Sequence, residues 1–254
     1  MIAGYDHFVT LAESLQWDEK ALDLTADAAV WPRLDGSERA RVLGLLAGFC
    51  IGENSVAAEL GPFRDAAGDD ASMRAAFQAQ ERDEQRHARF FDRVVTEVAG
   101  VPGADLATRL DFLRGRVGPE LVELFEQRLP AVARRLAADR AGLASAVGLY
   151  HMILEGVVLL AAQHALLDEL DHLSQRLSGT YQGMELVLRD ERWHIGFGSR
   201  VVQSAETVGD EMAELLREGE KAAAAWGDLI PAGAVEKAAQ QHRRRLKAVN
   251  IKFW

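Results

Sequence analysis

The chain has 254 residues, with 39 acidic against 29 basic side chains and a formal charge of −10, which argues against a partner bound by neutralising nucleic-acid phosphates. Hydrophobic residues at 48% and charged residues at 27% exclude a disordered chain and are enough to build a core. The single cysteine, Cys50, excludes an intramolecular disulfide and a multi-cysteine zinc site.

Residues 1–15 show no basic stretch followed by an apolar block, so no signal peptide is read there. The most apolar uninterrupted run, Gly156 to Ala162, is far short of the roughly 20 residues of a membrane span. A cytoplasmic chain with no integral membrane segment is expected. Ala, Leu, Glu and Arg dominate, prolines number 6, and no alternating β-branched run occurs, which predicts an all-α protein.

Taken in chain order, Asp35-Gly36-Ser37-Glu38 reads as the start of a helix that stops near Gly61-Pro62. Gly68-Asp69-Asp70 opens the next, which runs to Gly100. A shorter helix is expected over 104–115. Gly118-Pro119 begins another to about 139, with a kink expected at Pro130, whose ring removes a helical donor. Two long segments follow, about 140–170 and 176–206, then a terminal pair, about 208–226 and 232–249, broken at Gly227 and Pro231. Helices this long joined by turns this short predict an antiparallel bundle, and no linker divides residues 1–254 into more than one domain. No a/d heptad is sustained, which disfavours a coiled coil.

The chemistry lies in acidic residues on apolar faces. Glu53 shares its helix face with Leu46, Phe49, Val56 and Leu60, and Glu84 and His87 lie with Phe77, Ala88, Phe91 and Val95. Glu155 sits among Met152, Val158, Leu159 and Ala162, while Glu191 and His194 are framed by Met184, Val187, Leu188 and Ile195. At helical periodicity each set falls within about 60° of its carboxylate. An ionised carboxylate on such a stripe is costly to bury unless it is paired or holds a metal. Four facing carboxylates repel, and two imidazoles with a pair of divalent cations relieve that repulsion. The pattern is one Glu from each of two helices and Glu-x-x-His from each of two others, the arrangement of dinuclear carboxylate sites in helical bundles. Each half of the chain repeats it, as a Glu, a turn, and then Glu-x-x-His.

Seven histidines would form fewer than one Glu-x-x-His pair by chance, and three are present, at 84/87, 169/172 and 191/194. Glu169 and His172 lie about 21 Å beyond Glu155 on the same segment, in a polar helix end, and read as a solvated pair. Hard oxygen donors with two imidazoles and no thiolate suit iron or manganese and disfavour structural zinc. Asp190, beside Glu191, is placed to accept from an imidazole N–H. Cys50 reads as core, and the basic run His242 to Lys247 as a complement to the dipole of the last helix.

At these residues the chain resembles the small, radical-generating subunits of class I ribonucleotide reductases. It is more similar to their relatives, the ligand-binding oxidases with a manganese–iron centre. The resemblance spans roughly 17–205. It rests on Trp31-Pro-Arg-Leu-Asp-Gly-Ser-Glu-Arg39 leading into Glu53, on Glu rather than Asp as first ligand, and on Asp190-Glu191-Arg-Trp-His194. Val56, three residues after Glu53, and Tyr150, five before Glu155, match the valine and tyrosine that those oxidases join by an ether link. Where many reductase subunits carry a radical-storing tyrosine, this chain has Phe91.

The resemblance implies a ferritin-like four-helix bundle with flanking helices and metal ligands Glu53, Glu84, His87, Glu155, Glu191 and His194. It implies two metals, manganese with iron or two irons, and an oxygen-activating oxidase acting on C–H bonds. Its organic ligand would be a long-chain carboxylate or other small apolar molecule, with O₂ and an external electron donor as further partners and a homodimer as the assembly. A reductase small subunit and ferritin-type iron storage remain the alternatives.

Overall fold

The computed structural model describes residues 3–204 and 222–248, and every regular element among them is helical. The helix expected over 208–226 falls largely outside the described residues, as does the C-terminal Ile251–Trp254.

Helix α1 (Tyr5–Ser14) and the single-turn α2 (Thr25–Val30) precede the first long helix and carry no strong sequence signal. Helix α3 (Gly36–Glu59) starts where the sequence places it. Asp35 Oδ1 accepts from the backbone N–H groups of Ser37 (2.7 Å) and Glu38 (2.8 Å), and Glu38 Oε2 accepts from Asp35 N (2.9 Å). This capping box satisfies donors that the helix leaves orphaned. Glu38 also accepts from Ser174 N (2.8 Å), which ties the start of α3 to a distant turn. A short α4 (Gly61–Ala66) leads to α5 (Ala71–Arg93), extended by a π-helical turn Val94–Val98 and closed at Gly100, φ 64°.

Helix α6 (Leu106–Arg114) is followed by α7 (Pro119–Glu123), a π turn Leu124–Arg128 and α8 (Leu129–Ala138). Pro130 therefore sits in the first turn of α8, just past the π turn, and the flanking backbone remains right-handed helical. The wider turn absorbs the missing proline donor that was expected to kink a continuous α-helix.

The segment expected as one helix over 140–170 is three pieces: α9 (Leu143–Val147), a π-helical stretch Gly148–Leu159, and α10 (Leu160–His172). All twelve residues of the π stretch are buried, so no polar face marks its period in the sequence. Helix α11 (Ser178–Gln203) is capped from afar, since Asp27 accepts from Gly179 N (3.1 Å), Thr180 N (2.6 Å) and Thr180 Oγ1 (2.7 Å). A 3₁₀ stretch, Ala223–Leu229, bends at Gly227 (φ 54°), and α12 (Ala234–Ala248) follows.

Helices α3 and α5 pack as one pair, and α11 and the π stretch as another. Gly198 permits the second pair to close, because a Cβ there would lie 2.3 Å from His151 Cβ. On its other side the π stretch meets α12, where His242 packs on Gly156, with a Cβ at 156 falling 2.6 Å from the ring. His242 is thus fully buried and belongs to the core rather than to the basic helix end in which the sequence reading grouped it; Arg245 and Lys247 do lie in the last turn. Two helical stretches, 36–66 and 140–172, are long and apolar enough to cross a membrane, and most of each is buried within the bundle.

Candidate metal centre

The four central elements bring six side chains together. Glu53 comes from α3, Glu84 and His87 from α5, Glu155 from the π stretch, and Glu191 and His194 from α11; none is more than 1% exposed. Their donor atoms form two groups, each fitting within 4.8 Å: Glu53, Glu84, His87 and Glu191 in one, and Glu84, Glu155, Glu191 and His194 in the other. Glu84 and Glu191 are common to both. Each group then owns one further glutamate and one histidine, the donor distribution of two ions bridged by two carboxylates.

Both imidazoles turn Nδ1 inward. His87 Nδ1 lies 3.5 Å from Glu84 and 3.6 Å from Glu53 and Glu191. His194 Nδ1 lies 3.0 Å from Glu84, 3.3 Å from Glu191 and 3.6 Å from Glu155. Both oxygens of Glu53, His87 Nδ1 and Glu155 Oε2 are buried without a hydrogen-bond partner. A buried carboxylate with no donor is costly, and a cation is the group that removes the cost. The residues present therefore fit a dinuclear metal group.

The outward nitrogens reach aspartates in a crossed pattern. His87 Nε2 is 3.3 Å from Asp190 Oδ2, as the sequence reading anticipated. His194 Nε2 is 3.6 Å from Asp83 Oδ2. Each aspartate immediately precedes the glutamate of the opposite helix, so Asp-Glu-x-x-His occurs at 83–87 and again at 190–194. Asp83 was missed, although that repeated pentapeptide was legible. Arg86 donates to both aspartates, at 2.6 Å to Asp83 and 3.0 Å to Asp190. Trp17 Nε1 donates to Asp190 (2.7 Å) and Trp193 Nε1 to Asp83 (3.1 Å). Burial would raise Asp190, but the bond and charge of His87, followed by the Trp17 donor, outweigh it and hold Asp190 well below the usual carboxylate range. Asp83 is lowered against burial by His194 and then by the charge of Arg86.

Within the cluster, burial and then the charge of Glu191 push Glu155 up to about 8, and burial raises Glu53 well above its ordinary value. Burial, followed by the charge of Glu84, raises Glu191 as well. Glu84 goes the other way, because burial is overcome by His194 and His87 beside it. The cluster holds protons that cations would displace.

Tyr150 is buried, donates its hydroxyl to Glu84 Oε1 (2.8 Å), and accepts from Gln80 Nε2 (3.1 Å). The α-helical period would set Tyr150 and Glu155 about 140° apart. The π stretch, bonded i to i+5, stacks residues five apart, and Gln80 touches both of them. Val56 is buried one turn from Glu53 on α3. Phe91 stacks on Phe49 with ring centroids 5.1 Å apart. The third pair lies apart from the cluster: Glu169 bonds Arg41 (2.7 Å), and exposed His172 bonds the carbonyl of Asp168. Cys50 is core.

No family model matches the chain. Among solved structures, it is similar to a substitution variant of an R2-like ligand-binding oxidase with an anaerobically reconstituted Mn/Fe cofactor. The TM-score is 0.81 at 20% identity, covering 97% of this chain and 93% of that one. A second variant, with a non-activated Mn/Mn cofactor, aligns at TM-score 0.81 and 20% identity over 97% and 92%. A third, with an aerobically reconstituted Mn/Fe cofactor, gives 0.77 and 22% over 99% and 88%. The fold of this chain, over nearly its whole length, is therefore that of the R2-like ligand-binding oxidases.

Proposed function

We propose that the protein is an oxygen-activating oxidase with a dinuclear Mn/Fe or Fe/Fe centre held by Glu53, Glu84, His87, Glu155, Glu191 and His194. The observation that carries this reading is the pair of four-residue groups sharing Glu84 and Glu191. When bound, the two ions supply the redox chemistry by which O₂ is reduced and a hydrogen is drawn from an unactivated C–H bond. The solved structures of the same fold, with their Mn/Fe and Mn/Mn cofactors, support the choice of metals.

The chain's own residues do the rest. Glu84 and Glu191 span the two positions, and His87 and His194 present Nδ1 to one position each. Asp190 accepts from His87 Nε2, which fixes the tautomer and orientation of that ring, and Asp83 places its negative charge 3.6 Å from His194 Nε2. Six protein ligands would not saturate two such ions, which would leave room for O₂ and for the head of an organic carboxylate. The apolar shell keeps bulk water from the site, and Tyr150 holds its proton toward Glu84. By the same reading, Val56 and Tyr150 would be the pair joined by an ether link, each losing one hydrogen, with O₂ as the oxidant. A cytoplasmic homodimer, an external electron donor and a small apolar ligand complete the proposal.

The test is aerobic assembly with Mn(II) and Fe(II), followed by metal analysis, oxygen uptake and peptide mass spectrometry. Two ions per chain with oxygen consumption are expected, and Glu84→Ala or His194→Ala should lose bound metal. Full stoichiometry in those variants would refute the ligand assignment. Linked Val56 and Tyr150 peptides lighter by two hydrogens are expected, and unlinked peptides in fully metallated protein would refute the cross-link alone.

A further inference from the structure

The two halves of the cluster differ in their hydrogen-bond donors. Apart from the imidazole, Glu53 has no donor near either oxygen. The Glu155 half has two, both routed through Gln80, one turn before Glu84 on α5. Gln80 is fully buried, and its Nε2 lies 2.9 Å from Glu155 Oε1, 3.1 Å from the Tyr150 hydroxyl and 3.4 Å from Glu84 Oε1. Its Oε1 lies 2.9 Å from His151 Nε2. His151 is itself fully buried between Phe77 and Phe197, against which it packs edge-on.

These contacts permit one orientation of the amide. The NH₂ group faces the carboxyl oxygens of Glu155 and Glu84, which accept from it, and the carbonyl faces His151, whose Nε2–H donates. The NH₂ carries two hydrogens, and its two shorter contacts are Glu155 and Tyr150. The phenol oxygen accepts from the amide and so donates its own proton to Glu84. A directed run of donors results, from His151 to Gln80, then to Tyr150 and Glu155, and from Tyr150 to Glu84.

We propose that Gln80 is a positioning residue for Glu155 and Tyr150 in the His194 half of the centre, with His151 as the group that sets its amide. This rests on the dinuclear reading above, but its geometry holds in the metal-free chain and is tested there. Glu155 is thereby aimed before a cation arrives, whereas Glu53 is not.

Tyr150 is one of 3 tyrosines, so a Tyr5→Phe, Tyr181→Phe background leaves it as the sole reporter. Ultraviolet resonance Raman spectroscopy of this metal-free protein reports whether the phenol donates, accepts or does both. The parent should show both, and Gln80→Leu should show a phenol that only donates. His151→Phe should move the signal the same way, because the amide loses its anchor. Circular dichroism and melting verify folding, and Gln80→Met with His151→Phe carries the test if Gln80→Leu does not fold. In Mn(II) titrations of the same proteins, Gln80→Leu should weaken one of two bound ions by about ten- to a hundredfold and spare the other.

An unchanged phenol signature in Gln80→Leu, or equal weakening of both ions, would overturn the proposal. A parent that binds no Mn(II) overturns the dinuclear reading instead, and the Raman comparison tells that failure from this one.

Discussion

His242 supplies a quantitative prediction. Its ring is fully buried against Gly156, and neither nitrogen has a hydrogen-bond partner. Burial, with a smaller contribution from the positive charge of Arg245, lowers its pKa from 6.5 to about 3. The folded state therefore binds fewer protons than the unfolded state below pH 6.5, so stability falls as pH drops through that value and continues to fall toward pH 3. At about pH 5 the unfolded chain's imidazole is almost fully protonated while the folded one is neutral, which costs about 2 kcal/mol. Near pH 8 the cost is absent.

The perturbation is His242→Phe, which keeps a flat ring against Gly156 and removes the titration. Urea unfolding of metal-free protein, followed by helical circular dichroism, should find the variant at least as stable as the parent near pH 8. It should exceed the parent by about 2 kcal/mol near pH 5. Acid sensitivity from other groups is common to both proteins and cancels in the difference. If the two stability curves run parallel between those pH values, the reasoning about His242 fails.

Asp83→Asn should weaken metal binding at the His194 half by about ten- to a hundredfold, and Asp190→Asn should do so at the His87 half, measured by competitive Mn(II) titration. Equal loss at both halves from either variant would argue against the crossed pairing. Mn(II) loading should release protons and weaken as pH falls, since cations displace them from the carboxylates and imidazoles. Calorimetry in two buffers of different ionisation enthalpy measures that release. Glu169→Ala, which removes only the partly exposed partner of Arg41, should leave metal stoichiometry unchanged and alter stability by about 0–1 kcal/mol in denaturation.

The long helices and the six clustered side chains were legible because each of the helices that carry them has an apolar face interrupted by an acid, and burial makes such an acid conspicuous. The start of α3 was equally plain, since Asp35 and Glu38 form a local cap that depends on no distant residue. Asp190 was readable beside its glutamate. Asp83 stands in the same place in the repeated pentapeptide and needed only that comparison.

Other features depend on contacts between elements far apart in sequence. The π stretch Gly148–Leu159 is apolar throughout, so hydrophobic periodicity could not distinguish its winding from that of an α-helix. That winding, together with Gln80 from α5, decides how Tyr150 and Glu155 face the same carboxylates. Nothing in the sequence singles out Arg86 or Trp17, whose contacts with Asp190 form only when α1, α5 and α11 pack. His242 looked like part of a charged helix end, and its burial became visible only where α12 meets the bare backbone of Gly156. Local chemistry and helical spacing determined which side chains could bind metal. Packing across helices decided their donors, their partners and the direction in which each proton points, because those depend on distances the chain acquires only when folded.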